Sequence, residues 1–366
     1  MRLYVERPQV LTKPAYRVPS MAEINAIEPT GATAVSTFSG AGGSCLGLKM
    51  CGVSTLFASE FVKSARRTYR ANFPNTVLDK RNIREVTAEE ILEAIKLDAG
   101  ELDILEGSPP CQSFSTSGTV NKGWGTVKTY SDKHQRTDDL FFEFVRLLDG
   151  LQPRAFIAEN VHGLSIGKSI GYFKEIFAAL EACGYAVEVR ELDAQWLGVP
   201  QRRKRLIFVG IRHDLNAKPV FPVPFKYRYS IREAFENLPA LDDDLICPET
   251  GRNISFAEHR IASKARKLLP GQAGTSIGLK TQWNLSRSSP YKPSPTVVAE
   301  AAIGTANAVH YNAKRKFNIP ELRLIASFPA DFELVGSFRQ RWERLARAVP
   351  PFLMRAVGES VLNVIR

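Results

Sequence analysis

A chain of 366 residues, 44% of them hydrophobic, is long enough for one large domain with a buried core and a smaller domain beside it. Its 49 Lys and Arg against 38 Asp and Glu leave a net charge of +11, which favours a polyanionic partner; a merely basic soluble surface is the plain alternative. No apolar run approaches the roughly 20 residues of a membrane span, and the first residues lack a signal-peptide pattern. The cysteines Cys45, Cys51, Cys111, Cys183 and Cys247 form no C-x-x-C pair and adjoin no histidine cluster, which argues against zinc and against a disulfide scaffold. Reduced thiols in a cytoplasm are expected.

Residues 1 to about 30 carry scattered prolines and mixed charge without periodicity, and read as an extended arm or a loosely ordered tail. From Thr33 the pattern becomes strand, glycine turn, helix, strand: Thr33 to Phe38, Gly40 to Gly43, Leu46 to Met50, Thr55 to Ser59. Further strands are expected at Asp103-Ile-Leu, Ala155-Phe-Ile-Ala and Arg205 to Gly210, each separated by helical stretches. Strands alternating with helices predict an α/β fold, a doubly wound, mostly parallel, Rossmann-like sheet. After Ile211 the rhythm fails, and from His259 to Ala299 no Asp or Glu occurs while Arg260, Lys264, Arg266, Lys267, Lys280, Arg287 and Lys292 accumulate. Helical periodicity returns at Pro320 to Phe328 and from Pro351 to the end. The expected division is an arm over 1–30, a catalytic and cofactor-binding domain over 31–211, a small recognition domain over 212–295 and a return segment over 296–366 that completes the first domain.

Four motifs bear chemistry. Phe38-Ser-Gly-Ala-Gly-Gly43 is a glycine turn leaving a strand, where backbone N–H groups meet a ligand without obstruction. Alone it fits a nucleotide, a flavin or nothing. Glu60 lies about 18 residues past the turn at the end of the next strand, where an acid accepts both ribose hydroxyls of an adenosine; a surface glutamate is the alternative. Gly107-Ser-Pro-Pro-Cys111-Gln112 ends a strand with a turn that presents a thiol at the sheet's carboxyl edge. Ala158-Glu-Asn-Val161 and Gln201-Arg-Arg-Lys-Arg205 supply an acid and an arginine pair. In this order the four resemble one family, the DNA cytosine-5 methyltransferases, from about Ala32 to the C-terminus.

The resemblance implies a donor site for S-adenosyl-L-methionine on Gly40, Gly42 and Gly43, with Glu60 on the ribose, Phe38 against the adenine, and Phe61, Pro110 and Leu140 as apolar walls. Asn82-Ile83 stands where the family commonly has Asp-Ile, so an amide oxygen rather than a carboxylate would accept from the adenine amino group. Cytosine C5 is a poor nucleophile. The resemblance makes Cys111 the thiolate that adds to C6 and turns C5 enamine-like, with Glu159, a partly desolvated acid, meeting N3. Arg203 would hold cytosine O2 and Arg205 brace the site. The target atom is inaccessible in a stacked duplex, so the base must be flipped out. The segment Gln112 to Arg136 reads as a closing loop that contacts phosphate through Ser117, Lys122 and Arg136, and Lys280 and Arg287 of the basic segment face double-stranded DNA. No metal, no membrane and a monomer are expected, in the cytoplasm of a bacterial or phage-infected bacterial cell, in restriction-modification, orphan regulation or phage protection.

One motif departs from the pattern. Where the family has Gly-Asn-Ala/Ser-Val, this chain has Ala346-Arg347-Ala348-Val349 before Pro350-Pro351. Three consequences stay open: Arg347 points outward and ordinary methyl transfer persists; the site is crippled and a DNA-binding protein remains; or Arg347 pairs with an added carboxylate on the donor, as in carboxy-S-adenosyl-L-methionine, and the product is 5-carboxymethylcytosine. A non-enzymatic DNA binder has no need of Cys111, Glu159 and Arg203 together. A nicotinamide-dependent oxidoreductase explains the glycine turn and Glu60 but not the other motifs, and a tRNA-acting relative shares the catalytic set.

Overall fold

The computed structural model describes residues 13–110, 128–130, 133–135, 139–238, 268–278, 286–299, 309–312 and 316–366. Its elements follow in the order α1 (Met21–Asn25), β1 (Thr33–Thr37), α2 (Gly43–Lys49), β2 (Ser54–Ser59), α3 (Lys63–Asn72), β3 (Val77–Asp79), α4 (Ala88–Ile95), β4 (Ile104–Gly107), β5 (Lys128–Tyr130), β6 (Lys133–Gln135), α5 (Leu140–Leu151), β7 (Ala155–Val161), α6 (Ile170–Ala182), β8 (Tyr185–Asp193), β9 (Lys204–Arg212), α7 (Ile231–Phe235), α8 (Ile319–Ile325), α9 (Phe338–Arg347) and α10 (Pro351–Ile365).

Seven strands form one sheet in the order β3-β2-β1-β4-β7-β9-β8, while β5 and β6 pair only with each other. β1 pairs in parallel with β2 and β4, β2 with β3, and β4 with β7; β9 runs antiparallel to both β7 and β8. The sheet is doubly wound and mostly parallel, as the alternation of elements predicts. β4 is buried along its length and β7 nearly so, the condition of strands covered on both faces. Two strands of this sheet escape the sequence pattern, both at its edges: β3 is only three residues long, and the Glu188, Arg190 and Glu191 of β8 break its apolar character.

Helices cover both faces. On one, α5 buries Leu140, Phe141, Phe144, Leu147, Leu148 and Leu151, a stripe at helical spacing, against β4, β7 and helices α4 and α6. On the other, α10 buries Leu353, Met354, Val357, Val361, Leu362 and Ile365 against β1, β4, β7 and Leu48 of α2. The last helix of the chain therefore completes the layer begun by the first crossover helix. α9 inserts Trp342 into a second core with Phe317, Phe328 and Phe332, its indole N–H donating to Val298 O at 3.0 Å. The described part of the N-terminal arm lies on this return segment: Tyr16 Oη donates to Leu324 O at 2.6 Å, and Met21 N to Asp331 Oδ1 at 2.9 Å.

The chain runs outward from β1 to β3, then returns to place β4 on β1's other side. That reversal is the point at which an open α/β sheet leaves a crevice at its carboxyl edge. Pro110 closes the turn after β4 there, facing the glycine turn after β1.

Candidate active site

Two glycines shape the turn after β1. Gly42 has φ +86°, and a Cβ on it would enter the Phe73 ring; a Cβ on Gly43 would collide with the carbonyl oxygen of Val349. The last motif thus bears directly on the first helical residue of α2. Nothing lies within 4 Å of a Cβ built on Gly40, so the turn is open on that side. Its shape is held from β2. Glu60 accepts from Gly40 N at 2.7 Å and from Val62 N at 2.6 Å, one N–H per carboxylate oxygen. Burial raises its pKa, opposed by the Val62 N–H, by the charge of Arg344, and by the Gly40 N–H.

Over this turn lies a cavity with about 450 Å³ of space, its open mouth included, lined by Phe38, Ser59, Glu60, Phe61, Val62, Asn82, Ile83, Pro110 and Leu140. Seven residues singled out in the sequence meet here from five separate segments. Apolar walls with one carboxylate at the rim suit the ring and the ribose of an adenosine, so the residues present fit the donor. Asn82 caps the turn Ile83–Glu85, its Oδ1 accepting from Arg84 N at 3.3 Å and from Arg84 Nη1 at 3.5 Å.

The second half of the site is carried by β7 and by the start of β9. Glu159 is 9% exposed and pairs through Oε1 with Arg205 Nε at 2.6 Å; Arg205 also donates to Lys204 O at 2.7 Å. Arg203 is 3% exposed, and its Nε has no hydrogen-bond partner among the described residues. Desolvation, then repulsion from Arg205, pushes its pKa well down, with Glu159 opposing, so this buried charge is under-compensated. Asn160 Nδ2 donates to Pro109 O at 3.3 Å, tying β7 to the turn after β4. Asn160 was not singled out in the sequence, although it adjoins the acid in Glu-Asn-Val.

The segment before β9 is stitched to residues 294–297. Ser294 N donates to Pro200 O at 2.9 Å, Arg202 N to Ser294 O at 2.8 Å, and Val297 N to Gln201 Oε1 at 3.2 Å. Arg287 turns inward. Its guanidinium donates to Leu268 O at 3.1 Å, His310 O at 3.3 Å and Asn312 O at 2.9 Å, so much of its donor capacity is taken up by backbone. Arg347 is the half-buried last residue of α9, and Val349 is buried against the glycine turn. Cys111, Gln112, Ser117, Lys122, Arg136 and Lys280 lie outside the described residues. No group of three or more His, Cys, Asp or Glu that could hold a metal occurs among the described residues, and none of their helices is long and apolar enough to cross a membrane.

A mostly parallel seven-stranded sheet with a nucleotide-shaped pocket at its switch point defines the Rossmann-like class of methyltransferase folds. The fold agrees with that of a DNA modification methyltransferase encoded within an E. coli prophage, with a TM-score of 0.72 at 20% identity, covering 91% of this chain and 99% of that one. It also agrees with Spodoptera frugiperda DNMT2, with a TM-score of 0.63 at 18% identity over 92% and 99% of the two chains. The family model for C-5 cytosine-specific DNA methylase matches residues 32–363, and the chain belongs to that family. Among its relatives, the type II methyltransferase M.NgoPII of Neisseria gonorrhoeae is 35% identical over 342 residues, 90% of this chain and 95% of the relative. The type II methyltransferase M1.HphI of Haemophilus parahaemolyticus is 29% identical over 346 residues, 91% and 87% of the two.

Proposed function

We propose that this protein is a DNA cytosine-5 methyltransferase of the restriction-modification type, which takes a flipped cytosine between Glu159 and Arg203 and attacks its C6 with Cys111. The observation that carries this reading is the buried Arg203, whose Nε lacks a partner beside the Glu159–Arg205 pair. A cation so placed calls for an acceptor from outside, and cytosine O2 is one. Arg205 holds Oε1 of Glu159 and leaves Oε2 free to carry the proton that it donates to N3, which draws electrons from the ring as the thiolate adds to C6. When bound at the switch-point pocket, S-adenosyl-L-methionine supplies the electrophilic methyl group that the activated C5 accepts. A water molecule then removes the C5 proton, and expulsion of Cys111 restores the aromatic ring. Asn160 fixes the turn that precedes the thiol, and Glu60, Phe38, Asn82 and the glycine turn orient the donor. The basic segment with Lys280 and the loop with Gln112, Ser117, Lys122 and Arg136 supply the DNA contacts; Arg287 supports that surface from within. The bacterial origin of the relatives supports a cytoplasmic setting.

The test is mass spectrometry of nucleosides from duplex DNA incubated with the protein and either S-adenosyl-L-methionine or its carboxylated analogue. 5-Methylcytosine from the wild type and none from Cys111→Ala, with DNA binding kept, is expected. Absence of any product with DNA binding retained would favour a catalytically impaired binder. A second reading rests on Arg347, which stands two residues before the carbonyl that touches Gly43. A guanidinium there suits a carboxylate on the donor. If it acts so, the carboxylated donor competes well to give 5-carboxymethylcytosine, and Arg347→Asn shifts preference toward methyl transfer; 5-methylcytosine alone from a mixture, with Arg347→Asn unchanged in preference, rules it out.

A further inference from the structure

Between the donor pocket and the turn that leads to Cys111, the core holds a carboxyl group that the reaction above does not use. Glu106 is the third residue of β4 and is 1% exposed. The pleat puts it on the face of Ile104, toward α2, where an apolar residue would pack without cost. Three serine hydroxyls converge on it instead. Ser36 Oγ donates to Oε2 at 2.7 Å, Ser108 Oγ approaches Oε1 at 3.5 Å, and Ser44 donates from the first turn of α2. Thr37 Oγ1 donates to the Glu106 carbonyl at 3.2 Å.

Each serine belongs to a different part of the site. Ser36 lies in β1, two residues before Phe38; Ser44 follows Gly43 of the glycine turn; Ser108 precedes Pro109, whose carbonyl is held by Asn160. One carboxyl therefore joins the scaffold of the donor pocket to that of the nucleophile. Among the described residues, the titratable groups facing it are Glu159 from β7, the Cys45 thiol from α2 and the Tyr69 phenol from α3. Burial pushes the thiol up to about 12 and the phenol well up, so both are neutral near pH 7, and Glu159 is paired with Arg205. No cation is among them. Burial, reinforced by the charge of Glu159 and opposed by the serines, raises the Glu106 carboxyl to about 7.

We propose that Glu106 is a positioning residue that couples donor binding to placement of the Ser108-Pro109-Pro110 turn that precedes Cys111, its ionised form holding both. As a carboxylate it accepts from all three hydroxyls. Protonated, it must donate one O–H, and one serine must turn from donor to acceptor. The contact that gives way is the long one, to Ser108. The proposal rests on the methyltransferase reading and deepens it.

The test compares wild type with Glu106→Gln and Ser36→Ala across pH 5.5 to 8.5. Donor affinity is read by calorimetry without DNA, and the rate of 5-methylcytosine formation in a single turnover. In the wild type both should improve by about fivefold or more on passing from pH 6 to 8. Glu106→Gln mimics the protonated state and should hold the low-pH values throughout. Ser36→Ala removes a hydrogen bond to the ionised form, so its midpoint should move to higher pH. Carbon-13 spectra of carboxyl-labelled glutamate should show one resonance titrating near neutrality in the wild type and missing in Glu106→Gln. Should Glu106→Gln keep the wild-type pH dependence, or the titrating resonance be absent, the coupling is overturned while the methyltransferase reading stands. A wild type that binds the donor at no pH would overturn both.

Discussion

The donor pocket depends on Glu60, and exchanging its carboxylate for an amide tests how. Gly40 N and Val62 N point one at each oxygen, at 2.7 and 2.6 Å. In Glu60→Gln the amide oxygen keeps one N–H, and the amide nitrogen faces the other donor with no acceptor between them. A hydrogen bond to a charged partner contributes about 1.5–3 kcal/mol, and a ribose hydroxyl loses a second bond of that kind. With a factor of ten for each 1.4 kcal/mol, loss of one such bond weakens donor binding by roughly 10-fold to 100-fold. Isothermal titration with S-adenosyl-L-methionine reads the affinity, and a melt without ligand reads the loosened turn, expected to fall by a few degrees. Acidification should act in the same direction on the wild type, because protonating the buried Glu60 removes one of its two acceptors. A dissociation constant within twofold of wild type would refute the assignment of this carboxylate to the donor.

Glu159→Gln should slow the chemical step by about 10²–10⁴-fold with little change in DNA affinity, measured by single turnover and by fluorescence titration. Arg205→Met removes the grip on Oε1 of Glu159 and should lower the rate while leaving donor affinity within about twofold; an unchanged rate would free Glu159 from its dependence on Arg205. Glu106 has a folded-state pKa of about 7 against an ordinary 4.5. For an acid shifted upward, the stabilisation is fully present below the unfolded value and lost as pH rises through the folded one. Relative to Glu106→Gln, the wild type should therefore lose up to about 3 kcal/mol between pH 4.5 and 8, read by denaturant titration; parallel curves would contradict it. DNA affinity should fall steeply with salt, because a +11 chain is expected to neutralise several phosphates, and a flat log-log plot would assign the charge elsewhere.

The site was legible where chemistry depends on local pattern. The glycine turn, the acid 18 residues beyond it and the Pro-Pro turn each lie at a strand end, so their convergence follows once the strands are recognised as parallel. Distant partners are a different matter. Nothing in Glu-Asn-Val announces that Asn160 reaches Pro109, since the bond depends on the register of β7 against β4. β8 was missed because an edge strand needs no continuous apolar run, and the antiparallel direction of β9 depends on its pairing with both neighbours. Arg287 lies in a run of positive charge that reads as a solvated, DNA-facing surface, yet its guanidinium binds three carbonyls. Charge counts say nothing of where an arginine's donors are used. That three serines from three segments would gather on Glu106 was not legible, because it depends on the pairing of β1 with β4.

The contact between Gly43 and Val349 joins residues that are far apart along the chain, and α10 lays its apolar stripe beside α2 just beyond it. Pairings of such sequence separation carry a large loop-closure cost and form late. During synthesis the sheet can assemble from residues 33–212 while the outer surface of α2 is still bare. That surface is covered by α10. Until that helix docks, an apolar face of the nascent molecule is open to chaperones or to its neighbours.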